Sequence, residues 1–122
     1  NYRMPNLNAA LGCAQLEQAD QYLTSKRETA AQYKRFFLNR EEIFVDEPEG
    51  AESNFWLNAI VLKNRKERDE FLEVVNAEKI MTRPIWTLMN KLPMFESCQC
   101  GLLENSQWLE DRGVNLPSRV RP

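Results

Sequence analysis

Apolar residues recur along the first third of the chain at Leu16, Ala19, Leu23, Ala30, Tyr33 and Phe37. Those steps of three, four and seven put them on one face of a helix, and the spacing predicts a helix sustained to about Asn39. Pro5 and Asn6 suit its start, because Pro is tolerated in a first turn and Asn is a good cap. Thr24-Ser25 marks a candidate bend. The opening turns differ, since Ala9, Ala10, Gly12, Cys13 and Ala14 are all small. A mid-helix Gly costs roughly 1 kcal/mol against Ala. Such a stripe lets another backbone or a subunit come close, or it packs tightly within its own chain; the pattern leaves both open.

The period then changes. "IFVDEPEGAES" (Ile43 to Ser53) reads as a short strand and a Pro/Gly turn. Phe55 to Leu62 is apolar on both alternating faces and reads as a central strand. Asn64 with Glu67 three residues on resembles a capping box, opening a helix buried through Phe71, Leu72 and Val75. Lys79 to Pro84 reads as a third short strand, stopped by Pro84. Leu102 to Arg112 reads as a last helix anchored by Leu103 and Trp108, and "VNLPSRVRP" as an extended end. The sum is a small α+β layer domain: a long N-terminal helix and a short, mainly antiparallel three-stranded sheet covered by helices.

Composition narrows the chemistry. The 122 residues suffice for one modest core, and 43% apolar with 28% charged residues is ordinary for a globular domain. A net charge of -2 leaves no electrostatic footprint for nucleic acid. The basic run "KNRKER" (Lys63 to Arg68) leads into Asp69, Glu70 and Glu73, so it reads as a solvated helix start. No apolar run approaches the ~20 residues of a membrane span. Three cysteines, Cys13, Cys98 and Cys100, form no even framework and point to a reducing compartment. Without His they fall short of a four-ligand zinc site and read as ordinary thiols.

The absence of His also removes the usual general base. The carboxylates, including Glu41-Glu42, Glu47, Glu67-Asp69-Glu70 and Glu110-Asp111, fall on faces expected to be solvated. The six lysines mostly neighbour other charges, without the apolar setting that lowers a lysine pKa for Schiff-base work. Two places set polar groups among large apolar ones, as a binding wall does: Asn1-Tyr2-Arg3 and "MTRPIWTLMNKLPMF". In the second, Trp86 and Asn90 would share a face if they lie on one helical turn. The plain alternative is an edge strand running into core.

"NYRMPNLNAALGCAQLEQ" resembles the motif that follows the lysine loop in nucleotide-sugar aminotransferases of the DegT/StrS group. The resemblance continues through "TRPIWTLMNKLPMF" to the closing "NLPS", nearly the whole chain in order. The second stretch most resembles the branch acting on nucleotide-linked 4-keto-6-deoxy sugars of the legionaminic-acid type. The resemblance implies the C-terminal small domain of the aspartate-aminotransferase-like fold. It implies a cytoplasmic homodimer using pyridoxal 5'-phosphate, with glutamate as amine donor and a nucleotide sugar as acceptor, no nucleic acid and no membrane. The Schiff-base lysine would lie upstream of residues 1–122. Asn1 would reach the cofactor phosphate of the other subunit, with Arg3 at the same shared site and Tyr2 in packing. Arg83, Trp86 and Asn90 would face substrate. The small-residue turns Ala9 to Ala14 would lie near the subunit boundary. Where many members carry a histidine this chain has Asn90, and where many end "LPSS" it has Ser118-Arg119. A free-standing α+β interaction or regulatory domain without chemistry is the other reading, and a transcriptional regulator on the same fold is a third.

Overall fold

The computed structural model describes residues 2–120. Helix α1 spans Asn6–Leu16 and α2 spans Ala19–Phe37. The expected single helix is thus two, and the break falls at Glu17-Gln18 rather than Thr24-Ser25. The Gln18 side chain donates to the Ala14 carbonyl (3.4 Å), while its own N–H turns to Gln15 (3.2 Å). That local competition ends the ladder. Thr24 instead stays helical, its hydroxyl donating back to the Asp20 carbonyl at 2.9 Å. Pro5, not Asn6, is the residue that caps α1, and no side chain takes part in the cap.

The sheet has four antiparallel strands among the described residues: β1 (Ile43–Phe44), β2 (Asn58–Val61), β3 (Arg83–Pro84) and β4 (Gly113–Leu116), in the order β1-β2-β4-β3. The expected three-stranded sheet is corrected here. The stretch expected to be an extended end supplies β4, which pairs with β2 through Ile60↔Val114 and with β3 through Pro84↔Val114. Beta2 and β3 therefore run parallel with β4 inserted between them, and α3 (Arg65–Ala77) makes the crossover. Antiparallel partners project to one face, so Phe44, Asn58, Ile60, Leu62, Val114 and Leu116 share a side. Phe37, Ile60, Leu62, Val114 and Leu116 form the core there, and Tyr33, Phe71 and Leu72 pack on it from α2 and α3. On the other side Ile43 and Arg83 are exposed and Ala59 is half-buried, while Val61 and Gly113 are buried. Gly113 is needed at its place, because an added Cβ would stand 2.8 Å from the Ile85 side chain.

The capping box of α3 forms as expected. The Glu67 N–H donates to Asn64 Oδ1 at 3.0 Å, and Asn64 Nδ2 donates to Glu67 Oε1 at 2.9 Å. The buried stripe of α3 begins one turn earlier than expected, at Arg68, so "KNRKER" is not wholly solvated. Lys79 belongs to no strand. It closes α3 in the left-handed conformation (φ 63°), and Ile80 N–H reaches the Val75 carbonyl at 3.2 Å. Only Arg83–Pro84 of the expected third strand is paired. The last helix, α4 (Glu104–Arg112), buries Glu110 and leaves Trp108 on its outer face beneath Arg112. No described helix is long and apolar enough to cross a membrane.

The "NLPS" end is tied into this frame. Ser118 Oγ accepts from Asn58 N–H (2.7 Å) and Asn58 Nδ2 (3.1 Å) and donates to the Leu116 carbonyl (2.8 Å). Lys26 donates to the Ser118 carbonyl at 2.6 Å and Tyr33 to the Pro117 carbonyl at 3.0 Å. The motif thus locks β4 to β2 and α2.

Candidate functional site

Between β3 and α4 the chain runs as an irregular segment with two 3-10 turns, Met89–Lys91 and Pro93–Phe95. Pro84 at the end of β3 and Pro93 within the segment, with apolar residues that keep neither a helical nor an alternating period, give neither helix nor strand a footing there. The segment folds over a cleft of about 420 Å³ lined by Leu88, Asn90, Phe95, Cys98, Cys100 and Leu103, among others. Asn90 is half-buried, and its Oδ1 is shielded from water without a hydrogen-bond partner. A buried amide oxygen without a donor is costly, so it is an acceptor poised for one.

The turn carrying Asn90 is held from below. Glu110 is 8% exposed. Its Oε1 accepts the Leu88 N–H at 3.1 Å, and its Oε2 pairs with Lys91 Nζ. Its main-chain carbonyl accepts from Arg68 Nη1 at 2.8 Å. Burial alone would raise the Glu110 pKa. The Lys91 hydrogen bond, the Leu88 amide and the charges of Lys91 and Arg65 outweigh it, so the carboxyl titrates below its ordinary range. Glu110 was expected on a solvated face, and the structure corrects this. The signal was present in the spacing: Leu103, Ser106 and Glu110 stand at i, i+3 and i+7 and are the inward positions of this helix.

The other expected site residues lie elsewhere. Asn1 lies outside the described residues. Arg3 is exposed ahead of α1, and Tyr2 is likewise exposed rather than packed among the described residues. Arg83 is exposed on β3, with Nη2 3.7 Å from Met81 Sδ. Trp86 is neither core nor on a helical turn with Asn90, since residues 85–88 are not helical. It is 69% exposed and stacks on Trp56, itself 64% exposed, with ring centroids 6.3 Å apart. Trp56 was missed because it was read as part of a strand. The backbone instead turns there, with Phe55 at φ 46° and the Trp56 N–H held by Asn54 Oδ1 at 3.0 Å. Of the expected residues, Asn90 is the one lining the cleft.

The model of the DegT/DnrJ/EryC1/StrS aminotransferase family matches residues 1–121. The chain belongs to that family. It is 34% identical over 120 residues to GDP-perosamine synthase of Escherichia coli O157:H7, covering 97% of this chain and 32% of that protein. It is 29% identical over 123 residues to a Bacillus subtilis (strain 168) protein, EpsN, named as a pyridoxal phosphate-dependent aminotransferase, covering 97% of the chain and 32% of EpsN. The chain thus spans about a third of the length of these curated relatives. The fold superposes with a TM-score of 0.87 on Helicobacter pylori PseC, an aminotransferase involved in pseudoaminic acid biosynthesis, at 18% identity, covering 99% of this chain and 34% of that one. That likeness concerns the fold.

Family membership gives the chain a cofactor to be tested against its residues. Pyridoxal phosphate needs a lysine for its aldehyde and an anchor for its phosphate. No lysine lines the Asn90 cleft. Lys26, Lys34, Lys66 and Lys91 are bonded to carbonyls or carboxylates, and Lys63 and Lys79 are exposed. The described residues of this family member do not build a cofactor site by themselves, so no step of that chemistry is assigned to them. Cys98 and Cys100 are free and exposed, and no group of three or more His, Cys, Asp or Glu among the described residues could hold a metal.

Proposed function

We propose that the chain is the C-terminal part of a pyridoxal-phosphate-dependent aminotransferase that moves an amino group from glutamate to a nucleotide-linked keto-deoxy sugar. The product would serve surface-polysaccharide or nonulosonic-acid sugar synthesis in the cytoplasm. The observation that carries this is the 34% identity to a GDP-perosamine synthase across nearly the whole chain. That relative's name favours a GDP-linked acceptor over the legionaminic-type acceptor read from "MTRPIWTLMNKLPMF". On this reading the Schiff-base lysine is supplied from outside residues 1–122. Asn1 and Arg3 reach the cofactor of a partner subunit, and α1 lies at the homodimer boundary.

This chain's own part is binding. The apolar walls of the cleft, Leu88, Phe95 and Leu103, exclude water from one side of the acceptor. The Asn90 Oδ1 accepts from a hydroxyl or N–H of it, and Trp86 on Trp56 offers a flat face to a base or sugar ring. Arg83, exposed and touching only Met81 by Nη2 among the hydrogen bonds described, meets phosphate.

The test is amine transfer from 15N-glutamate by the purified full-length protein with added cofactor, using GDP-linked and UDP-linked 4-keto-6-deoxy sugars in separate arms. Mass spectrometry should show label in the GDP-sugar. Label only in the UDP-sugar would return the legionaminic-type acceptor. No label in either, with no cofactor retained, would make the chain part of a non-catalytic relative.

A further inference from the structure

Glu110 sits under the cleft without lining it. Its two oxygens hold the two residues that bracket the Asn90 turn, Leu88 through its N–H and Lys91 through its ammonium. Glu110 is fixed in turn. It lies on α4 one residue before Asp111, which pairs with Arg65 (3.4 Å), and Arg68 holds its carbonyl. The Glu110 carboxylate thereby joins the turn to α4, and the Glu110 carbonyl and Asp111 join α4 to α3, while the amide between the two grips keeps an unpartnered buried oxygen.

We propose that Glu110 is a positioning residue: it clamps the Leu88–Lys91 turn and so presents the Asn90 Oδ1 to a hydroxyl or N–H donor of the sugar-nucleotide acceptor. The inference rests on the reading of the cleft as the acceptor site. Glu110 touches neither acceptor nor cofactor and acts through Asn90.

A double-mutant cycle in the full-length enzyme tests this. Asn90→Ala should raise KM for the acceptor sugar by about three- to tenfold with kcat little changed, as loss of one hydrogen bond does. Glu110→Gln keeps an acceptor for Leu88 but loses the ion pair, and should raise KM by roughly two- to fivefold. The double variant should be no worse than Asn90→Ala alone. Lys91→Met should repeat the Glu110→Gln effect and Lys91→Arg should restore KM, which keeps the test open if Glu110→Gln folds poorly. Additive effects of the two changes on KM, or a fall in kcat and melting temperature at unchanged KM, would overturn the positioning role. A wild-type enzyme that aminates no nucleotide sugar would instead overturn the acceptor-site reading, before any variant is compared.

Discussion

Helices α1 and α2 follow one another with a two-residue break, and they use their apolar residues in opposite ways. Alpha2 buries Thr29, Ala30 and Phe37 and sets Tyr33 against the sheet. Alpha1 buries nothing, and Leu7, Leu11 and Leu16 are all exposed. Its small residues do not serve packing within the described chain, for a Cβ added to Gly12 meets nothing within 4 Å. Among the described residues, nothing packs on the small-residue stripe. A helix held by its own core can be judged from its own contacts; a helix that presents apolar and small residues to open space leaves a face that the described residues do not cover.

The sharpest way to break the contrast is truncation in each region. Ile60 is fully buried on the core face, and Ile60→Ala should cost about 2–4 kcal/mol. Leu11→Ala should cost this chain under about 0.5 kcal/mol. Chemical denaturation of both variants decides it, and comparable losses would mean that α1 is held by the described core after all.

A next step concerns Glu110, the one buried carboxylate of α4. Glu110→Gln should cost about 1.5–3 kcal/mol at neutral pH, the range for hydrogen bonds to a charged group. Because its folded pKa lies below the ordinary 4.5, its contribution is fully present above that value and lost as pH falls through the lower folded one. The gap in melting temperature between wild type and variant should therefore close on acidification. A gap that stayed constant at low pH would show that the charge is not what matters.

Trp86 tests the same contrast in the segment between β3 and α4. Being exposed and stacked only on Trp56 among the aromatic contacts described, Trp86→Ala should cost about 0.5–1.5 kcal/mol, not the several of a core tryptophan. A thermal melt measures this, and a loss above about 3 kcal/mol would return Trp86 to the core. The smallest effect is at Gly12. Gly12→Ala should stabilise α1 by about 0.5–1 kcal/mol in a monomer, from helix propensity alone. Sedimentation should show weaker self-association of the same variant if a partner's backbone approaches there.

The same division decides what could be read from sequence. Features set within a few residues were legible: the Asn64–Glu67 box, the stripe at Phe71, Leu72 and Val75, and the helical face of α2 through Tyr33 and Phe37. The central place of β2 was legible too, from its apolar run. Beta4 was not, because four residues running up to Pro117 look like a tail until β2 and β3 are seen to flank them. Glu110 was legible only in the spacing of Leu103, Ser106 and Glu110; its type and its neighbour Asp111 point to solvent, and its partner Lys91 lies far along the chain. Asn90 was expected at the substrate through family resemblance alone, and its setting was not legible, for the turn that carries it is held by Glu110 of α4. Trp86 was grouped with Asn90 on an assumed helical turn that the irregular segment does not make.

Hydrogen exchange on the full-length protein, with and without the GDP-linked acceptor, tests the central claim most directly. If the Asn90 cleft takes the acceptor, amides across residues 88–103 should slow on its addition, while those of β2 and β4, already protected in the core, stay as they were. Unchanged exchange through 88–103 at saturating acceptor would contradict the account.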